Sequence, residues 1–465
     1  MSEAREACGL FGIYGYDAAA EKVHLGLYSL QHRGEESAGI VVSDDREMRS
    51  RRGMGHLDEV IKPEDLPRLP GHMAIGHVRY STTGSPKPQN VQPLVIEYSK
   101  GLIAVAHNGT LTNAHALRRY YEGRGSIFQT STDSEIIVHL MADPEHLARP
   151  DHVAHCLAHL EGAFSLLLMT KTQLIAARDR HGFRPLSLGE LRCSPVVASE
   201  TCAFDLLGAR YVRDIDPGEV LTMDNRGLTS TRFVAPEAVK KAHCIFEHVY
   251  FARPDSRVFG ETCHIVRQRL GARLAAEQPA EADIVTAVPD SGIPAALGYS
   301  RASGIPFDYG FIRNHYIGRT FIQPGEARRG LGVRIKLNTI ADVVRGKRVV
   351  VVDDSIVRGT TSRSRLGLLR EAGAREIHLR ISSPPIRYPC YFGIDFPTRQ
   401  ELAASERSIE QVRDLVGADS LGYLSPEGLL SAVTGPPGDY CTACFTGAYP
   451  CEITEAVDKL GMECR

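Results

Sequence analysis

Residues Gly346 to Ser362 read GKRVVVVDDSIVRGTTS, and this stretch decides how the second half of the chain folds. Val349 to Val352 are β-branched and apolar at four consecutive positions. A strand covered on one face alternates, so an unbroken run predicts a strand inside a parallel sheet, covered on both faces. The run stops at Asp353 and Asp354, which places two carboxylates at the strand's carboxyl end, the edge where open α/β sheets hold ligands. Ser355, Arg358, Gly359, Thr360 and Thr361 follow, then a helical pattern (Leu366, Leu368, Leu369) ending near Gly373. Small and hydroxylated residues ahead of a helix can wrap their N–H groups around a phosphate. A bare Asp-Asp-Ser would also suit an ordinary strand-to-helix turn with acidic N-cap residues.

At full length the stretch resembles the phosphoribosyl-pyrophosphate (PRPP) signature of the type I phosphoribosyltransferases. The resemblance implies that Asp353 and Asp354 hold the ribose hydroxyls and a Mg²⁺ ion, while Ser355 and Arg358 to Thr361 surround the 5-phosphate. Upstream, Ile284 to Pro294 is again strand, polar turn and helix; by resemblance its turn approaches the pyrophosphate, giving Asp290, Ser291 and Gly292 as ligands, with Ser291 a further metal candidate. Arg313 to Asn338 interleaves Arg313, Arg319, Arg328, Arg329, Arg334 and Lys336 with Gly318, Gly325, Gly330 and Gly332. Such a run suits a solvated basic loop, and equally a glycine-hinged segment that closes over a pyrophosphate and excludes water. It resembles the closing loop of the glutamine PRPP amidotransferases, with Arg313 where many members have lysine and His315 where many have arginine.

Eleven cysteines in a long chain suit reduced thiols, metal ligation or catalysis better than a disulfide framework. Cys441 and Cys444 form a C-x-x-C pair, which alone could be a zinc half-site, a redox dithiol or two packed thiols. Cys244 heads a partly alternating segment, through Ser256, that reads as a strand before a helix from about His264 to Glu277; Cys390 lies in PPIRYPCYFGID. The contexts of all four resemble the iron–sulfur branch of the glutamine PRPP amidotransferases, which implies a [4Fe–4S] cluster on Cys244, Cys390, Cys441 and Cys444. Their chemistry by itself does not separate this from zinc.

In the other half, Cys8 heads a short apolar strand, Gly9 to Ile13. Polar groups then recur where a plain core would not want them, in Gln31 to Ser37, Gly76 to Thr82, Ala106 to Thr110 and Ser131 to Glu135. Singly, Asn108-Gly109 reads as a turn and Asp133 as a helix cap. Together and in this order they resemble the glutamine amidotransferase domain of the N-terminal-nucleophile (Ntn) hydrolases. That implies an αββα sandwich over residues 8–235, with Cys8 as nucleophile, Asn108 and the Gly109 N–H as oxyanion hole, Arg79 on the glutamine α-carboxylate and Asp133 on its α-ammonium. The base in this family is the nucleophile's own α-amino group, so Met1 to Ala7 is expected to be a propeptide.

The length, 465 residues, predicts more than one domain. A net charge of −2 gives no basic excess for nucleic acid or a membrane surface. No apolar run reaches a membrane span and no signal peptide opens the chain, so a cytoplasmic location is expected. The expected fold is an Ntn-hydrolase sandwich followed, over residues 244–465, by a parallel-sheet phosphoribosyltransferase domain with C-terminal helices; the pattern loosens from Val220 to Ala242 between them. By resemblance, glutamine supplies ammonia at Cys8, and ammonia displaces pyrophosphate from PRPP to give 5-phosphoribosylamine, opening purine synthesis. Feedback by purine nucleotides and a homotetramer are also implied. Other amidotransferases share the first half but lack DDSIVRGTTS, and a PRPP-responsive regulator would not need the glutaminase residues.

Overall fold

Leu10, Ile75 and Val197 turn one way out of the neighbouring strands Gly9–Tyr14, Met73–Arg79 and Ser194–Ala198, while Phe11, Ala74 and Val196 turn the other. Both sets are buried, so this sheet must be covered twice. In the computed structural model, which describes residues 8–80, 84–314, 337–396 and 398–453, it has seven strands. One face meets Ala104, Ala106 and Leu167 of a six-stranded sheet centred on Gly101–Leu111 and Gly162–Met169. Its other face receives helices Ala19–Ser29 and Cys202–Leu207. Helices Ser134–Ala142 and His152–Ala158 cover the far side of the second sheet, over Val105, Leu166 and Leu168. Four layers result, in the expected order αββα. Gly76 allows the first helix this close, since a β-carbon there would lie 2.4 Å from Val23 Cγ1.

The valine run behaves as its composition requires. Strands Ile284–Ala287, Arg348–Asp353, Glu376–Ile381 and Ser420–Tyr423 form a parallel sheet in that order. Val350 and Val352 pack with helices Cys263–Glu277 and Ile293–Ser303 on one face. Val349 and Val351 pack with Thr360–Glu371 and Ile409–Val416 on the other. All four are fully buried, and each contributes about 1.5–3 kcal/mol by leaving water.

Two expectations fail here. The segment from Cys244 to Ser256 is not a strand; only His243–Cys244 is extended, paired in parallel with Tyr440–Cys441, and Glu247–Phe251 forms a π-helical turn. Ile245 and Val249 enter the core four residues apart, the spacing of a helical turn, and that burial overrides the partial alternation. Nor is Val220 to Arg232 loose, because Glu219–Asp224 and Gly227–Arg232 are a hairpin closing the six-stranded sheet. Its outer strand is exposed throughout, hence its polar sequence. Met1 to Ala7, Ser81, Thr82, Cys464 and the loop residues from His315 to Lys336 lie outside the described residues.

The halves are joined by buried charge. Glu247 accepts from Arg33 Nη2 at 2.6 Å and Arg184 Nη1 at 3.1 Å, with all three side chains out of water. Glu200 pairs with Arg33 and accepts from Ser256 Oγ at 2.5 Å. The Phe183 and Phe392 rings stack at 4.2 Å.

Candidate functional site

Cys8, at the head of the first strand, has φ +50° and its thiol buried 3.8 Å from the Tyr80 carbonyl. Arg79 ends the neighbouring strand, and Cys8, Arg79, Gly109 and Asp133 line one narrow cleft. Burial pushes the Cys8 thiol up to about 12, against the pull of the Arg79 guanidinium. Little thiolate exists near neutral pH, so nucleophilic chemistry here needs a base to take the thiol proton.

The Asn108-Gly109 pair is not a turn; both residues lie within the strand Gly101–Leu111. Gly109 has φ +142°, and a β-carbon on it would lie 2.1 Å from the Ala163 carbonyl oxygen, so only glycine fits. Both polar atoms of the Asn108 side chain are buried without a hydrogen-bond partner among the described residues. An amide left so costs about 1–3 kcal/mol unless something else occupies it.

Asp133 sits at the N-cap position of helix Ser134–Ala142 but does not cap it. Its Oδ2 accepts instead from the Leu111 backbone N–H, across the sheet, at 2.9 Å. Burial opposes its charge, but His107 and the bonds from Leu111 and Thr132 outweigh burial and hold the carboxyl below the usual range. Behind it, Gln92 accepts from the His107 N–H at 2.7 Å and donates to Ser134 Oγ at 3.0 Å. Nothing in the spacing of the chain announces Gln92, which meets this site through a loop.

The second cluster gathers at the carboxyl edge of the parallel sheet. Asp353 and Asp354 are both buried. Ser291 Oγ donates to Asp354 Oδ2 at 2.5 Å and Ser355 Oγ to Oδ1 at 2.6 Å, so the two polar turns meet on one carboxylate. Gly292 makes this possible, since a β-carbon there would sit 2.6 Å from the Val352 carbonyl. Gly359, at φ +82°, is the N-cap of the twelve-residue helix from Thr360, so the helix N-terminus faces the same edge. Arg365 Nη1 lies 3.3 Å from Asp353 Oδ2. Two candidates are engaged elsewhere: Arg358 pairs with Glu401 at 3.1 Å, and Asp290 with Arg313 at 2.5 Å.

Cys244, Cys390, Cys441 and Cys444 converge beside the junction of the two halves. Cys244 and Cys441 are register partners, and Cys444 feels the other three. Burial, and then mutual repulsion, raises the Cys444 thiol well above its ordinary value; burial pushes Cys441 up to about 12. The Phe392 N–H donates to Cys390 Sγ at 3.4 Å. Cys451 is near enough to raise Cys441 further.

Past Cys390 the chain runs directly onto the first cleft. A β-carbon on Gly393 would lie 3.0 Å from Gly109 Cα, the Phe392 carbonyl accepts from Arg184 Nε at 3.2 Å, and Tyr80 donates to Asp395 at 3.4 Å. Gly393 escaped the sequence reading because its role is close approach, which leaves no chemical signature.

A family model of the glutamine amidotransferase domain matches residues 77–205, which include Arg79, Asn108, Gly109 and Asp133. The amidophosphoribosyltransferase of Bacillus subtilis is 49% identical over 453 residues, covering 96% of this chain and 95% of that protein. That of Methanothermobacter thermautotrophicus is 46% identical over 464 residues, covering 98% and 97%. Among solved structures, glutamine PRPP amidotransferase from B. subtilis, complexed with ADP and GMP, matches with a TM-score of 0.90 at 49% identity over 96% of this chain and 98% of that one. Fold and site thus define a glutamine amidotransferase fused to a phosphoribosyl-transfer domain. The chain belongs to the amidophosphoribosyltransferase family, over nearly its whole length and nearly the whole length of those relatives. It is an enzyme that transfers the amide nitrogen of glutamine to C1 of PRPP, the first step of purine biosynthesis.

Proposed function

We propose that Cys8 is the glutaminase nucleophile, and that removal of Met1 to Ala7 frees its α-amino group to act as base. With a pKa of about 8, that amine is partly neutral at physiological pH, whereas an amide nitrogen has no basic lone pair. The amine takes the thiol proton, the sulfur adds to the side-chain carbonyl of glutamine, and the oxyanion is met by the Asn108 amide and the Gly109 N–H. The C–N bond then breaks, ammonia leaves with the borrowed proton, and water hydrolyses the thioester to glutamate. Arg79 and Asp133 grip the α-carboxylate and α-ammonium and so select glutamine over a bare amide. One observation carries this reading: the buried, unpartnered Asn108 side chain beside Gly109, a donor waiting for a charge that develops only during reaction.

Ammonia passes to the parallel-sheet unit and attacks C1 of PRPP; the bond to pyrophosphate breaks, and the new amine sheds a proton. Asp353 and Asp354 bind the ribose side, Ser355 and Arg358 to Thr361 the 5-phosphate, and Asp290, Ser291 and Gly292 the pyrophosphate. Arg358 would exchange Glu401 for phosphate, and Arg313 would release Asp290, as substrate enters. Asp353, Asp354 and Ser291 would hold Mg²⁺, which supplies charge neutralisation of the pyrophosphate; two adjacent buried carboxylates with a serine hydroxyl on one of them suit a hard cation.

The four thiols fit a [4Fe–4S] cluster. Four buried or half-buried cysteines gathered at one place offer the all-thiolate donor set such a cluster takes, a bound cation would offset the burial and mutual repulsion that otherwise keep them protonated, and the Phe392 N–H to Cys390 is a bond of the kind that tunes such clusters. Its place between the cysteine segments supports a structural role. Residues 8–235 would form the glutaminase unit and 244–465 the phosphoribosyl unit. Purine nucleotides are the expected feedback ligands, since the B. subtilis structure was solved with ADP and GMP. A homotetramer in the cytoplasm completes the reading; among the described residues no helix is long and apolar enough to cross a membrane.

The test uses protein purified without oxygen and follows glutamate and pyrophosphate together in the presence of glutamine, PRPP and Mg²⁺. Equal amounts, each dependent on the other substrate, are expected. Glutamate without pyrophosphate would sink the acceptor-site assignment, and an active enzyme whose intact mass retains all seven leading residues would sink the base.

A further inference from the structure

Four histidines lie between His146 and His159, on the outer helical layer of the sandwich, and three of them converge. His146 is on helix Pro144–Leu147, His155 on His152–Ala158, and His159 is the residue that ends the latter. One ring nitrogen from each falls within 4.8 Å of the other two. His155 Nε2 is 3.1 Å from His146 Nδ1, close to the roughly 3.3 Å that a tetrahedral ion with bonds of about 2.0–2.1 Å imposes on two nitrogens. The rings meet at 4.8 to 5.0 Å between centroids.

We infer that His146, His155 and His159 form a binding site for one divalent transition-metal ion of the zinc class, separate from both reaction centres. The donor set argues for that class: three imidazoles with no carboxylate among them suit Zn²⁺, Ni²⁺ or Cu²⁺, and not the oxygen-seeking Mg²⁺. The His159 ring has the outer partner that a ligand should have. His159 Nδ1 lies 2.9 Å from the His155 carbonyl; donating there fixes the tautomer and leaves Nε2 with its lone pair, the outer hydrogen bond typical of metal-bound histidine. The remaining contraction falls on His159, the exposed member of the three. His152 does not take part, because its Nε2 is committed to the Met141 carbonyl at 2.9 Å.

The spacing His155-x₃-His159 puts two rings on one side of a helical turn, and His146 comes to them through the turn between the helices. A bound ion would tie the two short helices together over the sheet face that Cys156 and Leu157 cover.

Calorimetric titration of the full-length holoprotein with ZnCl₂, after passage over a chelating resin, tests this against His155→Ala, His159→Ala and, as control, His152→Ala. Wild type and the control should bind one more equivalent of zinc than the other two variants, whose affinity at this site falls by about 100-fold or more. Co²⁺ in place of zinc should give visible absorption in wild type that both trio variants lack. His159 is exposed, so its variant remains informative even where His155→Ala folds poorly. Equal stoichiometry and affinity in wild type and His159→Ala, or binding lost equally in the control, would overturn the site. Zinc that binds elsewhere, at cysteines for instance, contributes alike to all four proteins and leaves the difference intact.

Discussion

Asn108 separates function from stability at a single side chain. If it is the oxyanion donor proposed above, replacing it with alanine should lower glutamine-dependent kcat by about 10²–10³-fold with KM little changed. The same change removes a buried amide without a partner among the described residues, so denaturant stability should hold or rise. A large loss of stability would mean that the amide has a structural duty. Cys8→Ala should abolish glutamine-dependent turnover and leave ammonia-dependent turnover intact, and loss of both would count against two separate centres. Glu200 carries a different consequence. Burial opposes its charge, but Arg33 and His32 outweigh burial and depress its carboxyl strongly. The stabilisation is therefore complete above the unfolded carboxyl's pKa, about 4.3, and is lost as pH falls below it through the folded value. Glu200→Gln should lower stability near neutrality by about 3–5 kcal/mol and flatten the acid limb of an unfolding curve. At this scale the sequence named Cys8, Arg79, Gly109 and Asp133, which the structure gathers in one cleft, but the singular readings of two of its motifs were wrong. Asn108-Gly109 as a turn and Asp133 as a cap are local inferences, and a strand pair fixed by partners more than fifty residues away decides otherwise.

Elements were legible where composition alone dictates burial. Val349 to Val352 needed no partner to be recognised, whereas Cys244 to Ser256 alternates only in part and is settled by the core it enters. What no pattern reveals is how closely two elements approach. Helices Cys263–Glu277 and Ile293–Ser303 cross through glycine: a β-carbon on Gly298 would lie 1.9 Å from the Gln268 carbonyl, and one on Gly271 1.8 Å from that of Ala295. Gly298→Ala should cost at least about 1–3 kcal/mol in unfolding free energy by forcing these helices apart. Because helix Ile293–Ser303 begins at Gly292, the same variant should weaken PRPP binding, read as a raised KM, while glutamine hydrolysis without PRPP stays as it was.

Between the halves, the decisive contacts join residues far apart in the chain. Arg33 and Glu247 are separated by 214 positions and Arg184 and Glu247 by 63, so no window of sequence contains them. The division into two units was visible, but the buried charge that joins them was not. Gly393 is the most consequential of these long-range contacts. Gly393→Ala should press on Gly109, so glutamine-dependent turnover should fall while ammonia-dependent turnover persists; an equal fall in both would place the defect in the acceptor unit.

The loop that bears Cys390 thus also packs against the backbone of Gly109, which lines the first cleft. Three residues of loop separate that thiol from the backbone at Gly109, so a displacement of one is transmitted to the other by the chain itself.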